Sequence, residues 1–237
     1  MKKYWFFFII FGIFSLTART QTVTAIATTN GIAPIPAFTL NKPAALVYMN
    51  TSLGKDWEFD PDVTFDLSNG NGWFMDIWNK KNFHLDTAGK FTLTVGADWS
   101  LFFQSYKDGK RVTQSVPYPT FEGKMRFVPD KKNSCTFDWW YTFATQKEFG
   151  VKGNYVSLMY TRSQEYKKIT LLGDVNEFYI NYSDGSRGLG ASYDASIIHN
   201  RSGLFLGGQI VHSVSPTSST NIKFGWSVSV GITRKLK

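Results

Sequence analysis

Residues 91–103 read Phe-Thr-Leu-Thr-Val-Gly-Ala-Asp-Trp-Ser-Leu-Phe-Phe, and this stretch decides the fold class. Every second position carries an apolar or small side chain, while most positions between them carry Thr, Gly, Asp or Ser. Successive side chains of a β-strand point to opposite faces, so a spacing of two predicts a strand with one apolar face and one polar face.

The same alternation returns along the rest of the chain. Residues 222–232 place Ile, Phe, Trp, Val, Val and Ile on one face and Lys, Gly, Ser, Ser and Gly on the other. Turn sequences rich in Asn and Gly, such as residues 68–72 and 200–203, separate such segments and suit tight hairpins. Strands are predicted near residues 44–53, 56–68, 72–79, 89–106, 110–128, 133–146, 153–163, 168–182, 187–199, 203–214 and 220–235. The chain is therefore predicted to be all-β, a meander of antiparallel hairpins with short loops.

The N-terminus differs from the rest of the chain. Lys2 and Lys3 precede an uninterrupted apolar run, residues 4–14, and small residues at Ala18 and Thr20 suit a cleavage site. This pattern predicts a secretory signal peptide over residues 1–20, with cleavage after Thr20. Residues 21–43 are rich in Thr, Ala and Pro and are predicted to be a lead-in segment, with residues 35–41 as a candidate short first strand.

Charge and cysteine content exclude several classes of protein. Loss of residues 1–20 removes Lys2, Lys3 and Arg19 and no acid, so the formal charge falls from +8 to +5. The remaining bases form short clusters without a long basic run, so nucleic acid is not an expected partner. The single cysteine, Cys135, cannot form an internal disulfide.

Strand length separates a membrane barrel from a soluble sandwich. Strands of soluble proteins are about five or six residues long, whereas a tilted membrane strand needs about nine to eleven. The alternation persists that long in residues 91–103 and 222–232, and Gly96, Gly190, Gly225 and Gly231 lie on the polar face, where a narrow barrel is crowded. We therefore expect residues 44–237 to form an antiparallel up-and-down transmembrane β-barrel of about 10–12 strands.

The signal peptide, the short-looped hairpins and the last strand, residues 222–236, together resemble the small outer-membrane β-barrel proteins of Gram-negative bacteria. The resemblance implies an outer-membrane location, contact with outer-membrane lipid, and assembly through the barrel-assembly machinery, which reads the last strand. The usual ending is an aromatic residue, and this chain ends Leu236-Lys237 instead. The resemblance is one of architecture, so it assigns no functional residue and no oligomeric state.

If the apolar faces meet lipid, many charged residues point into the barrel, where they avoid the cost of facing hydrocarbon. The predicted lumen residues are Glu58, Asp60, Asp62, Asp66, Asp76, Asp98, Glu122, Lys124, Arg126, Asp138, Asp194 and Lys223. Two interpretations remain open. The charges pair into a ladder that fills and closes the barrel, or they line a narrow water-filled path whose acids favour cations.

Aromatic residues are predicted at the membrane interfaces. They are Trp57, Trp73, Trp99, Trp139 and Trp226. The leading hypothesis is a non-enzymatic channel, or a structural or adaptor component of the envelope, without cofactor or metal. One alternative is an exported β-sandwich that binds glycan or lipid through Trp73 or Trp139-Trp140. Another is a lipid hydrolase using His199 or His212, but adjacent His212 and Ser213 point to opposite faces of a strand.

Overall fold

The computed structural model describes residues 18–31, 40–105, 113–145, 152–183, 185, 187–214 and 224–236. In this part of the chain twelve antiparallel strands form one closed barrel, and the first strand completes the ring by pairing with the last. The strands are β1 (Ala18–Thr28), β2 (Ala44–Leu53), β3 (Trp57–Asp66), β4 (Asn71–His84), β5 (Phe91–Ser105), β6 (Thr113–Phe127), β7 (Asn133–Phe143), β8 (Lys152–Glu165), β9 (Ile169–Tyr182), β10 (Arg187–His199), β11 (Leu204–Ser213) and β12 (Gly225–Leu236). The up-and-down barrel is confirmed, and one closed sheet rules out the two-sheet sandwich.

The strand bounds follow the alternating sequence closely. β2 and β10 coincide with the predicted segments 44–53 and 187–199. β4 runs to His84, beyond the predicted end at residue 79, because its polar residues still pair with β5, for example Lys80 with Gly96. The prediction ended β4 early because these residues interrupt the apolar alternation, although the barrel interior accepts polar side chains.

The first strand lies at a different place from the one predicted. β1 begins at Ala18, in the last three residues of the predicted signal peptide, and continues through the Thr- and Ala-rich start of the lead-in segment. Residues 40 and 41 are not in a strand, and residues 32–39 lie outside the described residues. The pairing of β1 with β12 starts at Gln21, which lies opposite Leu236. Cleavage after Thr20 would therefore leave every β1–β12 pair intact. The signal peptide itself stays a prediction.

Two groups of buried apolar side chains lie inside the barrel. Phe102, Val116 and Tyr118 form one of them. The other contains Tyr155, Phe178, Ile180, Tyr182 and Val211. Among the described residues there is no helix with the length and apolarity to cross a membrane.

Candidate functional site

The two faces of each strand have opposite chemistry. On β5, Thr94 and Asp98 are 6% and 5% exposed, whereas Val95 and Trp99 are 52% and 48% exposed. On β12, Ser227 is buried between the exposed side chains of its neighbours in sequence. Since alternate residues of a closed barrel face inward and outward, the polar faces point into the barrel and the apolar faces point away from it.

Most of the predicted lumen residues occupy inward-facing strand positions. They are Glu58, Asp60, Asp62, Asp76, Asp98, Glu122, Lys124, Arg126, Asp138 and Asp194. Arg126 is exposed next to the end of β6, and Lys223 lies outside the described residues. The positions of the other side chains divide the barrel interior into two regions with different packing.

In the first region, lysines compensate the acids. Lys80 Nζ lies 3.1 Å from Asp60 Oδ2, and Asn50 also donates a hydrogen bond to Asp60. Lys124 Nζ lies 2.5 Å from Glu122 Oε1 and 3.6 Å from Asp138 Oδ2. Each lysine therefore neutralises carboxylates of its own or adjacent strands, as the ladder interpretation expects.

Aromatic rings pack against these ion pairs. The Trp78 and Trp140 ring centroids are 5.6 Å apart, although their strands are separated by β5 and β6, so this contact crosses the interior. Trp140 continues to Tyr155 at 4.9 Å, and its Nε1 donates to Glu122 Oε1 over 3.2 Å. The packed cluster is the set Asp60, Trp78, Lys80, Glu122, Lys124, Asp138 and Trp140.

Three further acids lie beside the packed cluster. Asp62 and Asp76 are directly opposed on β3 and β4. Asp98 accepts hydrogen bonds from the Ile77 backbone N–H and from the Ser100 hydroxyl. With these three, the region holds six acidic side chains, whereas the packed cluster supplies two lysines.

The second region is a cavity of about 330 Å³ inside the barrel. Four polar residues form one row across β9 to β12, because Asp174 pairs with Asp194, Asp194 with Gln209, and Gln209 with Ser227. All four line the cavity, and no Lys or Arg of the described residues does so. The acids of this region therefore face open space without the cations present in the packed cluster.

Two predicted site residues have other roles. Asp66 accepts hydrogen bonds from the Ser68 backbone N–H and Asn69 side chain and lies 3.4 Å from Lys42 Nζ, so its carboxylate holds the β3–β4 turn. Trp73 was predicted at an interface but lines the cavity, with its ring 6.1 Å from that of Phe102. A register shift between β3 and β4 beside Trp73 breaks the alternation that the prediction assumed.

The other four predicted interfacial aromatics point outward. Trp57, Trp99, Trp139 and Trp226 are each at least 40% exposed. Lys81 Nζ lies 5.2 Å from the centre of the Trp57 ring, next to the β2–β3 turn. Their contact with a membrane interface stays a prediction.

Glycine is required on the inner face at two of the predicted positions. A Cβ atom at Gly190 would overlap the Phe178 ring, and one at Gly231 would overlap the Phe205 ring and the Ala25 carbonyl oxygen. Inward rings of one strand therefore fill the space left by glycines on the next.

His199 and His212, the histidines of the hydrolase alternative, make local contacts in the described residues. His199 Nδ1 lies 2.7 Å from Ser202 Oγ, but it also accepts the Ser202 backbone N–H, so this pair closes an exposed turn. His212 contacts the Ser213 carbonyl oxygen, not its hydroxyl. In the same part of the chain no three His, Cys, Asp or Glu side chains converge as ligands for a metal ion.

The architecture is shared with known proteins, although the sequence is not. No protein-family model and no curated protein matches the sequence. Solved structures that match its fold include the KdgM porin (TM-score 0.59, 7% identity, 91% of this chain and 99% of that one), an outer membrane channel from Pseudomonas putida F1 (0.58, 9%, 92% and 95%) and the NanC porin (0.57, 8%, 91% and 100%). The barrel resembles the outer-membrane porins. At such low identity the likeness concerns the fold alone.

Several interior residues were not found by sequence reasoning. β9 carries apolar residues on both faces, since Phe178 and Ile180 are buried inside while Leu171 and Val175 are exposed outside. The sequence of β9 therefore does not show which of its faces points inward, and the prediction missed Asp174. Lys80 was missed because the prediction ended β4 one residue before it.

Proposed function

We propose that the protein is a non-enzymatic outer-membrane barrel that conducts small cations along a narrow polar path through the cavity. One observation carries the proposal: Asp174 and Asp194 face the cavity inside a closed barrel with no Lys or Arg beside them in the described residues. A pore lined by carboxylates concentrates cations and repels anions.

The outer surface supports insertion into a membrane. Exposed apolar side chains occur on successive outward positions, as with Trp226, Val228 and Val230 on β12. Strands of 10 to 15 residues are long enough to cross a hydrocarbon core at the tilt of a barrel. The porin-like fold and the predicted signal peptide favour the outer membrane, with lipid as the partner of this surface and the barrel-assembly machinery as the partner during biogenesis.

The packed cluster favours a second candidate, a structural envelope component without transport. Trp78 and Trp140 meet across the interior, and such a contact obstructs part of the cross-section. The cavity is lined mostly by β1, β2 and β9–β12 and shares only β3 and β4 with the packed cluster, so we give conduction precedence.

Reconstitution into a planar bilayer tests the proposal. A tenfold KCl gradient across the membrane should give a reversal potential of the sign set by K⁺, because acids predominate along the path. An absence of current, or a potential set by Cl⁻, would contradict cation conduction. A complete absence of current would leave the structural role.

Cell fractionation and a heat-modifiability gel test the location separately. The protein should remain with the outer-membrane fraction, and the unboiled form should migrate differently from the boiled form. Recovery in the soluble periplasmic fraction without detergent would contradict a membrane barrel.

A further inference from the structure

Basic residues of three neighbouring turns lie together at one rim of the barrel. The Ser163 backbone N–H donates to the Lys132 carbonyl oxygen over 2.7 Å, which joins the end of β8 to the β6–β7 turn. The Asn200 backbone N–H donates to the Lys168 carbonyl oxygen over 2.9 Å, which joins the β10–β11 turn to the β8–β9 turn. The basic patch of these turns and the end of β8 consists of Lys131, Lys132, Arg162, Lys167, Lys168 and Arg201.

The charge of the basic patch is not compensated by ion pairs. All six of its side chains are exposed, and none forms an ion pair with a described residue. Two acids, Asp130 and Glu165, lie in the same segments. Asp130 accepts hydrogen bonds from the Lys132 backbone N–H and from the backbone and side chain of Asn133, so it holds its own turn. Six bases against two acids give this part of the rim a positive charge that suits an anionic partner.

The lengths of the connections show which side of the membrane this rim faces. Its five turns are three to six residues long, whereas the β1–β2 connection at the opposite rim has fifteen residues. Outer-membrane barrels have short turns on the periplasmic side and longer loops outside the cell. The basic patch therefore lies at the periplasmic leaflet, which is made of phospholipid.

The outer surface next to the basic patch is aromatic and apolar. Arg162 and Tyr160 lie two residues apart on the outward face of β8, and Leu158 follows on the same face. Phe137 on β7 is paired with Leu158, and the side chains of Tyr160, Leu158 and Phe137 are all exposed. Tyrosine is common at the level of lipid headgroups, and Lys and Arg extend from there towards the phosphates. A single lipid can therefore contact the bases with its headgroup and the apolar side chains with its acyl chains.

We propose that the basic patch binds an anionic phospholipid of the periplasmic leaflet. The Lys and Arg side chains bind its phosphate and offset its net charge, and its acyl chains lie against Leu158 and Phe137. A neutral phospholipid also fits the apolar surface, but it brings no net charge to the six bases. The inference goes beyond the proposed function and does not depend on conduction, because it concerns the outer surface of the barrel.

Native mass spectrometry of the refolded full-length barrel in a non-ionic detergent tests the inference. Phosphatidylglycerol and phosphatidylcholine with the same acyl chains are added together. Both lipids carry a phosphate, but only phosphatidylglycerol has a net negative charge. It should be bound at least about fivefold more, because one base near an anionic lipid contributes about this factor. Water-soluble glycerol phosphate at the same concentration should not displace it, because glycerol phosphate has no acyl chains.

Variants assign the preference to the basic patch. The fourfold variant Lys131→Gln, Lys132→Gln, Lys167→Gln, Lys168→Gln should bind the two lipids about equally, because four of the six charges are lost. The double variant Lys167→Gln, Lys168→Gln should lose at least half of the preference for phosphatidylglycerol.

The double variant Lys55→Gln, Lys90→Gln is the matched control. It also removes two exposed lysines from short turns of the same rim, and neither lysine forms an ion pair with a described residue. The β2–β3 and β4–β5 turns lie outside the basic patch, so this variant should keep the preference of the unaltered protein.

Equal binding of the two lipids by the unaltered protein would overturn the inference, and so would displacement of phosphatidylglycerol by glycerol phosphate. A full preference in the fourfold variant, when a heat-modifiability gel shows that it is folded, would have the same meaning. If the fourfold variant does not fold, the two double variants decide, and equal losses in both would overturn the assignment to the basic patch.

Discussion

The packed cluster and the cavity are built from the same residue types, yet they differ in what compensates their acids. In the packed cluster, Lys80 and Lys124 lie within ion-pair distance of Asp60, Glu122 and Asp138, and Trp140 covers Glu122. In the cavity, Asp174 and Asp194 oppose each other, and the Gln209 side chain is hydrogen-bonded to Asp194. The interior of a barrel can therefore serve for stability in one region and for a solute in another.

The largest expected effect is on the stability that the packed cluster provides. Trp140→Ala should lower the free energy of unfolding by about 3–5 kcal/mol, because it removes the ring between Trp78 and Tyr155 and leaves a void. Trp139→Ala is the control on the same strand, because Trp139 is exposed outside, and it should cost about 1 kcal/mol or less. Urea titration in phospholipid vesicles, with the folded fraction read from gel mobility, measures both. Equal losses would mean that the interior contact is not needed.

The second-largest expected effect is the loss of stability when a charged residue is replaced, and it should differ between the packed cluster and the cavity. Lys124→Met should destabilise the barrel by about 3 kcal/mol, since it leaves Glu122 and Asp138 buried without a cation. Asp194→Asn should change stability by no more than about 0.5 kcal/mol, because no ion pair is lost.

The same urea titration compares these variants, and a rescue variant serves as the control. Adding Glu122→Gln and Asp138→Asn to Lys124→Met should restore most of the lost stability, because no uncompensated charge then remains. If Asp194→Asn destabilises as much as Lys124→Met, the contrast between the regions is wrong.

A smaller effect concerns the crowding of the inner face. Gly190→Ala should cost about 1–3 kcal/mol, because its Cβ overlaps the Phe178 ring. Gly208→Ala should be almost neutral, because its Cβ would lie 3.7 Å from the Ser227 carbonyl oxygen, an ordinary contact. Phe178→Leu should relieve part of the Gly190→Ala loss. Equal gel-based unfolding midpoints for the two alanine variants would contradict this account of the inner glycines.

The sequence was sufficient for the fold wherever one face of a strand was uniformly apolar. On β5, Leu93, Val95 and Trp99 define a single lipid-facing side, so the strand and its inner face could be predicted together. β1 was misplaced because Thr and Ala alternate with little contrast in hydrophobicity, and its closing partner, β12, lies at the other end of the chain.

The candidate site was less predictable because it depends on which strands meet across the interior. Asp194 was predicted to face inward from the alternation of β10, but its pairing with Asp174 depends on the β9–β10 register. Trp73 faces the cavity because of a local register shift between β3 and β4, and the sequence pattern does not indicate this shift. The choice between a closing ladder and an open path also needed the positions of Lys80 and Lys124 relative to the acids.

Thiol labelling tests the central claim, that water and cations reach the cavity side of the barrel but not the packed cluster. Single cysteines replace Gln209, in the cavity, and Thr120, in a background where Cys135 is Ser. Thr120 is buried beside the packed cluster, two residues before Glu122 on β6, and is hydrogen-bonded to Thr142. The account predicts labelling at position 209 by a cationic methanethiosulfonate about tenfold faster than by an anionic one, and protection at position 120. Equal labelling at both positions, or faster reaction of the anionic reagent at position 209, would contradict it.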